Sequence, residues 1–281
     1  MTLISDKQIY EMSNDNKIIG HYPETKNSSI IFSGKNNILY CESNVRLEDS
    51  TLNFAGNNSI IYLCSNRHPY KLSVSIFNDC VFHMGKDNYI NQKMTIILSE
   101  QKHCFIGDNG IFSINITMRN ADPHLIYKCS TGSRTNISKS IYIGDHVWIG
   151  QDVLILKGTQ IDSGSIIGAM SVVSGKKVPH NSTWAGNPCK QISDDIFWDN
   201  SCVHNWTQEK TEKSMQYSEY ISEYKQGCHT DYWIYKYNSL ECLEWEELEQ
   251  HLSYPLSSLK KCEYLLQLNE CKAKNRFAHS R

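Results

Sequence analysis

The residues best suited to chemistry stand together in the stretch RNADPHLIY, which contains Asp122, Pro123 and His124. Histidine suits general base catalysis because its unperturbed pKa, about 6.5, lies near neutral pH. Asp122 could orient such a base through its second ring nitrogen, but we favour the simpler reading that it shapes an Asp-Pro turn. The chain has 11 histidines, so a surface histidine on a loop is the alternative for His124.

A six-residue repeat follows this stretch. From Ile143 to Lys190 the chain reads IGDHVW, IGQDVL, ILKGTQ, IDSGSI, IGAMSV, VSGKKV, PHNSTW and AGNPCK. The first positions of these hexads (143, 149, 155, 161, 167, 173, 179 and 185) are Ile or Val in six of eight cases. Strands alternate every two residues and helices about every 3.6, so a period of six predicts a hexapeptide β-helix whose coils stack an aliphatic column.

The repeat continues upstream in a less regular form and is broken once. The spacing of six recurs in two upstream triplets (Met84, Ile90 and Ile96; Ile106, Phe112 and Met118). Met118 and Ile143 are 25 residues apart, and this spacing is not a multiple of six. It predicts a loop at 119–140 that leaves the coil and carries His124. We therefore expect a leader at 1–27, a β-helix domain at 28–192 and a C-terminal extension at 193–281.

The extension has a different composition from the repeat. Seven aromatic residues crowd one short segment (Tyr217, Tyr220, Tyr224, Tyr232, Trp233, Tyr235 and Tyr237). They could stack on sugar rings, but we favour packing within a small domain or against another subunit. Two helices are predicted beyond them on either side of Pro255, the first with a capping box formed by Asn238 and Glu241.

Composition excludes several classes of protein. A net charge of −2 in 281 residues gives no basic bias towards nucleic acid. The chain contains no run of 18 apolar residues, and its first residues do not form a signal peptide, so we expect neither a membrane span nor secretion. The 11 scattered cysteines, without a CxxC pair, fit reduced thiols in a cytosolic protein.

The segments IGDHVWIGQDVLILKG, IIGAMSVVSG and WAGNPCKQI resemble the hexapeptide-repeat O-acetyltransferases, which include the galactoside, maltose and serine acetyltransferases. RNADPHLIY followed by IGDHVWIG is most similar to the bacterial capsule enzymes that act on polysialic acid. The resemblance covers about residues 30–200. It implies a left-handed parallel β-helix, a homotrimer, acetyl-coenzyme A as donor and a sugar hydroxyl as acceptor.

The resemblance also implies roles for individual residues. His124 matches the position of the general base, and Trp148 matches a tryptophan beside it, although Trp148 could equally cap a corner of the coil. Asn91 matches an asparagine that donates to the oxyanion in the galactoside and maltose enzymes, but the spacing differs by a few residues. Trp198, in IFWDNSCVHNW, becomes a candidate contact for the acceptor.

Coenzyme A in this family lies along the C-terminal coils, between subunits. The matching positions are Ala169 and Ser171 for backbone approach to the pantetheine, with Lys190 and either Lys176 or Lys177 for the phosphates. Exposed lysines on a solenoid can also be merely solubilising. No metal is expected.

Three other functions fit parts of the pattern. An N-acetyltransferase for an amino sugar would use the same fold. A zinc-dependent hydratase of the γ-carbonic-anhydrase type needs a closely spaced histidine pair, whereas His103, His124 and His146 are about 20 residues apart on no shared column. A scaffold without catalysis would have no need of the looped-out DPH segment.

Overall fold

A computed structural model describes Ile4 and residues 7–217, 243–253, 256–270 and 276–277. The tyrosine-rich run from Tyr220 to Tyr237 and the capping-box pair Asn238 and Glu241 lie outside these residues. The chain winds as a parallel β-solenoid in which successive coils add strands to three long sheets, named here the first, second and third faces. The predicted class, an all-β solenoid with a partly helical C-terminal extension, is confirmed.

The strands are distributed over the three faces as follows. The first face comprises β1 (Ile9–Glu11), β2 (Lys17–Gly20), β5 (Ile38–Cys41), β8 (Ile60–Leu63), β10 (Val81–Met84), β13 (Cys104–Ile106), β16 (Ile141–Ile143), β19 (Gln160–Ile161) and β22 (Lys177–Val178). The second face comprises β11 (Tyr89–Ile90), β14 (Ile111–Phe112), β17 (Trp148–Ile149), β20 (Ile166–Ile167), β23 (Thr183–Ala185) and β24 (Lys190–Ser193). The third face comprises β4 (Ser29–Phe32), β7 (Thr51–Phe54), β9 (Leu72–Ile76), β12 (Met94–Leu98), β15 (Thr117–Arg119), β18 (Leu154–Leu156) and β21 (Val172–Ser174). A separate pair joins β3 (Glu24–Lys26) to β6 (Arg46–Glu48).

Parallel pairing in the first face begins at Lys17, where β2 pairs with β5, inside the segment that we expected to be a leader. The chain also forms a 3₁₀ turn at Ser13–Asp15. The loop between β15 and β16 occupies residues 120–140, close to the predicted 119–140. The division into three domains remains a prediction.

The inward column of aliphatic side chains forms the core of the coils. Ile143 pairs with Ile161, which pairs with Val178, and all three are fully buried. The predicted column is wrong at its last two positions, because Val178 and Trp184 point inward rather than Pro179 and Ala185. The turn after β21 is one residue shorter than a strict count of six assumes.

The N-terminal coils are longer than the C-terminal ones. Hydrogen bonds between the corners of early coils join residues 22 positions apart, as from Asn36 to Asn58, whereas Asp145 and Ser163 of the later coils are 18 apart. Met84, Ile90 and Ile96 are nevertheless in register with Ile106, Phe112 and Met118, so the predicted upstream columns are confirmed.

The extension adds three described helices, α1 (Gln208–Lys213), α2 (Trp245–Leu252) and α3 (Ser258–Glu270). The two helices predicted around Pro255 correspond to α2 and α3. Both pack on the outer side of the first face, where Trp245 stacks on Tyr142 with 5.2 Å between ring centroids. Farther on, Arg276 is buried against Asp145. The helices of the described residues are too short or too polar to cross a bilayer.

Candidate active site

His124 lies on the loop that leaves the solenoid between the third and first faces. The loop folds back on itself as a hairpin, with Lys128 N donating to Ser133 O at 2.9 Å and Thr135 N donating to Ile126 O at 2.9 Å. The side chain of His124 is exposed, and its imidazole makes no hydrogen bond to another described residue. The ring is therefore open to an incoming substrate.

Two ion pairs fasten the hairpin to the neighbouring coils. Arg134 donates two hydrogen bonds of 2.8 Å to the carboxylate of Glu100, which also accepts one from Ser138. Lys157, just after β18, lies 2.5 Å from Asp122. The hydrogen bonds from Arg134 and from Lys157 lower the pKa values of Glu100 and Asp122, respectively. Both carboxylates therefore stay ionised near neutral pH.

The side chain of Asp122 makes no hydrogen bond to the imidazole of His124. Its Oδ2 atom accepts from Lys157 and, at 3.1 Å, from the amide of Asn136. Asp122 thus holds the base of the loop through Lys157 and Asn136, a role different from the Asp-Pro turn that we favoured. The two acids of the loop region, Asp122 and Glu100, both form ion pairs with basic side chains of the same chain.

Trp148 and Asn91 both lie on the second face, two coils apart. The indole of Trp148 is 43% exposed. Asn91 is also exposed, and its Oδ1 atom accepts a hydrogen bond of 3.3 Å from the hydroxyl of Tyr89. Tyr89, Ile111 and Trp148 are in register across β11, β14 and β17. An uncharged strip with two aromatic side chains and one isoleucine thus runs down this face.

Trp198 lies beside Trp148 but is itself buried. Its ring stacks on His146 with 3.7 Å between centroids, and its centroid is 6.1 Å from that of Trp148. Burial lowers the pKa of His146 to about 4. Trp198 is only 6% exposed, so the surface that it offers to an acceptor is small and the exposed partner in this pair is Trp148.

The candidate coenzyme residues lie around the last coils. Ala169 is exposed at the corner between the second and third faces, where a Cβ on Gly150 would approach its amide nitrogen to 2.6 Å. The hydroxyl of Ser171 is buried beneath it, donating to Gly168 O at 2.6 Å and accepting from Gly186 N at 3.0 Å. The backbones of two successive coils therefore lie close together at this corner.

The three candidate lysines differ in their surroundings. Lys190 is exposed at the start of β24 and forms no ion pair with a described residue. Lys177 lies 3.7 Å from Glu246 of α2. Lys176 is half-buried, and its charge acts on the thiol of Cys189. Lys190 and Lys176 are therefore better placed than Lys177 to meet a phosphate.

Within one chain the candidate residues fall into separate groups. His124 projects from the corner between the third and first faces, whereas Trp148 and Asn91 lie on the second face. Ala169 and Ser171 lie at the corner between the second and third faces. Among the described residues, no three His, Cys, Asp or Glu side chains converge in a way that would hold a metal ion.

Sequence reasoning missed the residues that hold the loop in place. Asn136 and Arg134 lie in the loop outside the repeat, Lys157 lies in a hexad that gives no sign of a loop contact, and Glu100 is 34 positions from Arg134. The available signal was the density of polar side chains inside the 25-residue gap. That density could have suggested an ordered loop but not which side chains pair.

Comparison with known proteins agrees with this architecture. Residues 140–175 match the family described as bacterial transferase hexapeptide (six repeats). The polysialic acid O-acetyltransferase of Neisseria meningitidis is 29% identical over 182 residues, covering 64% of this chain and 84% of that protein. The galactoside O-acetyltransferase of Escherichia coli K12 is 36% identical over 110 residues, covering 39% of this chain and 52% of that protein.

Two solved structures have the same fold over most of their length. The polySia-specific acetyltransferase NeuO superimposes with a TM-score of 0.60 at 26% identity, covering 69% of this chain and 91% of that one. The polysialic acid O-acetyltransferase OatWY superimposes with a TM-score of 0.50 at 25% identity, covering 69% and 98%. The repeat and the fold define a protein of the left-handed β-helix class. The chain is similar to hexapeptide-repeat acetyltransferases in both sequence and fold.

Proposed function

We propose that the protein transfers the acetyl group of acetyl-coenzyme A to a hydroxyl of a capsular or surface polysaccharide. The observation that carries this proposal is the exposed imidazole of His124 on a loop fixed by ion pairs to a hexapeptide solenoid. The similarity to polysialic acid O-acetyltransferases over 84% of one such enzyme supports the acceptor class.

His124 acts as the general base in this proposal. An alcohol is a weak nucleophile at neutral pH, so the imidazole removes the hydroxyl proton as the oxygen attacks the thioester carbon. The tetrahedral intermediate then collapses, the carbon–sulfur bond breaks, and the imidazolium returns the proton to the departing thiolate. Asn91 is a candidate donor to the oxyanion, and Trp148 is a candidate wall of the acyl pocket.

The separation of the candidate residues supports a site shared between subunits, as in the homotrimer that the family resemblance implies. His124 and Trp148 project from different sides of one solenoid, so a site that uses both takes them from adjacent subunits. The second face and the loop both expose apolar side chains, including Trp148, Leu125 and Tyr127, which suits contact between subunits. The first face is covered by α2 and α3 and is not available for this contact.

The coenzyme in this arrangement lies along the last coils. Ala169 and the backbone around Ser171 would meet the pantetheine, and Lys190 would meet a phosphate through a charge-assisted hydrogen bond. Lys176 is the better second candidate because Lys177 is already close to Glu246. Trp198 contributes to acceptor binding chiefly by packing beside Trp148.

One experiment tests the reaction and the base together. The protein is incubated with acetyl-coenzyme A and a panel of capsular polysaccharides, and new esters are mapped by NMR. The variant His124→Asn should lower kcat by roughly 10² to 10⁴ while calorimetry shows unchanged coenzyme binding. His21→Asn, a change at another exposed histidine, serves as the matched control and should leave kcat unaltered.

The outcomes separate the candidate functions. Full acetyl transfer by His124→Asn would reject the base. A product that survives mild alkali would be an amide, in favour of an N-acetyltransferase for an amino sugar. Failure to bind coenzyme A at all would reject the transferase and favour a scaffold.

A further inference from the structure

The side chain of Asn136 joins the two arms of the loop. Its Nδ2 atom donates to the backbone oxygen of His124 at 2.7 Å and to Oδ2 of Asp122 at 3.1 Å. Its Oδ1 atom accepts from the backbone nitrogen of Ile126 at 3.0 Å and from Nε of Arg134 at 3.3 Å. Both amide protons are thus used, and the amide oxygen accepts twice. Asn136 is only 7% exposed, so water does not readily replace these bonds.

These contacts surround His124 on both sides in sequence. The side-chain amide of Asn136 binds Asp122 and the backbone of Ile126 as well as the carbonyl of His124. Between Asp122 and His124 stands Pro123, whose ring fixes its own φ angle. The backbone at His124 therefore has little freedom left, and the motion that remains is rotation of its side chain.

The amide is also tied to the solenoid. The backbone oxygen of Asn136 accepts from Nζ of Lys157 at 3.3 Å, and the same ammonium group holds Asp122 at 2.5 Å. Lys157 directly follows β18 of the third face. The backbone of His124 is therefore fixed relative to a stacked strand of the solenoid and not relative to the hairpin tip.

We propose that Asn136 is a positioning residue for the base. It holds the backbone of His124 where the imidazole can reach the acceptor hydroxyl. This inference rests on the proposed function, because it assigns to Asn136 no action except through His124. Misplacement of a reacting group by about 1 Å can lower a rate by about 10²-fold. A loss of this order, smaller than that for removing the imidazole, is the expected signature.

The test uses three variants of the full chain. Asn136→Ala removes all four bonds of the side chain. Asn136→Asp keeps its size and its acceptor for Ile126 but replaces the donor to His124 by a carboxylate oxygen. Both should lower kcat about 10- to 100-fold with an unchanged KM for acetyl-coenzyme A. The matched control is Thr135→Val, which removes the neighbouring side-chain bond to Ile126 O, of 3.2 Å, and should retain kcat within about twofold.

A double-mutant cycle separates positioning from a general loss of structure. In the background His124→Asn there is no imidazole to position, so adding Asn136→Ala should lower the residual rate no further. A further loss equal to that in the wild-type background would overturn the proposal. So would an Asn136→Asp variant with wild-type kcat. If Asn136→Ala does not fold, the isosteric Asn136→Asp carries the same comparison.

The failure of this inference is distinct from failure of the proposed function. If His124→Asn loses activity but the Asn136 variants do not, the base stands and the positioning role falls. If His124→Asn keeps full activity, the general base is rejected first.

Discussion

The imidazole of His146 lies parallel to the indole of Trp198, and each ring donates a hydrogen bond to the other residue's backbone oxygen. Both bonds are 3.0 Å long, and the rings are inclined by only 3°. Because Nε2 of His146 donates, its Nδ1 accepts from the amide of Asn109 at 3.1 Å. The ring is thereby satisfied as a neutral imidazole. This pair fastens the segment after the last coil beside Trp148.

The neutral state of His146 predicts a pH dependence of stability. Its folded-state pKa is about 4, below the value of about 6.5 for a free histidine. Between these values the unfolded chain binds a proton that the folded chain does not, so the contribution is complete above pH 6.5 and is lost as the pH falls towards 4. We expect the free energy of unfolding to decrease over that window.

A variant isolates this contribution. His146 has a φ of 52°, a conformation that asparagine tolerates, so His146→Asn is the test. Wild type should be the more stable protein at pH 7.5, and urea titrations should show its advantage shrinking by roughly 2 to 3 kcal/mol at pH 4.5. Burial raises the pKa of Asp108 to about 6, so the contribution of Asp108 to stability grows as the pH falls. Because wild type and variant both contain Asp108, this contribution cancels when their stabilities are compared. An advantage that is constant with pH would contradict the prediction.

Lys190 predicts a selective effect on the donor. The variant Lys190→Ala should raise KM for acetyl-coenzyme A about 3- to 10-fold with little change in kcat, because a phosphate loses one charge-assisted contact. The increase should diminish at high salt. Steady-state kinetics at two ionic strengths measure both effects. Lys26→Ala, at the opposite end of the solenoid in an exposed pair with Glu48, is the control; an equal change there would reject the assignment.

The buried ion pair of the extension predicts a loss of stability. Arg276 donates to Asp145 through Nε at 2.9 Å and Nη2 at 2.8 Å, and its Nη2 lies 3.3 Å from Asp108. Arg276→Met leaves two acids without their cation and should lower the free energy of unfolding by about 3 kcal/mol or more. Glu48→Gln, which breaks the exposed pair with Lys26, should cost at most about 1 kcal/mol. Similar losses in the two variants would show that burial of the pair is unimportant.

The solenoid was predictable because its information is local. Ile149 and Ile155 each face inward as a result of their own place in a six-residue unit, whatever lies elsewhere in the chain. Counting failed where a corner lost one residue, so that Val178 took the place assigned to Pro179. The longer N-terminal coils were visible only as scattered columns, because their spacing of 21 or 22 residues includes no whole number of hexads.

The site was predictable only in part. The break in the six-residue period located the loop of His124, because a spacing that is not a multiple of six can be read from the sequence alone. The partners that hold the loop depend on contacts between distant positions, such as the 35 residues from Asp122 to Lys157. Trp198 was expected to face an acceptor; the structure stacks it on His146, 52 positions away. Its role in binding, like the other residue roles, stays a prediction.

The extension that crosses the first face changes how this solenoid can come apart. A repeat protein held only by neighbouring coils frays from its ends, one unit at a time. Here Ser258 bonds to Asn36 O and Lys261 to Asp79 O, while Trp245 bonds to Asp162 near the other end. Because the extension joins coils near both ends, we expect distant coils of this solenoid to unfold together rather than one at a time.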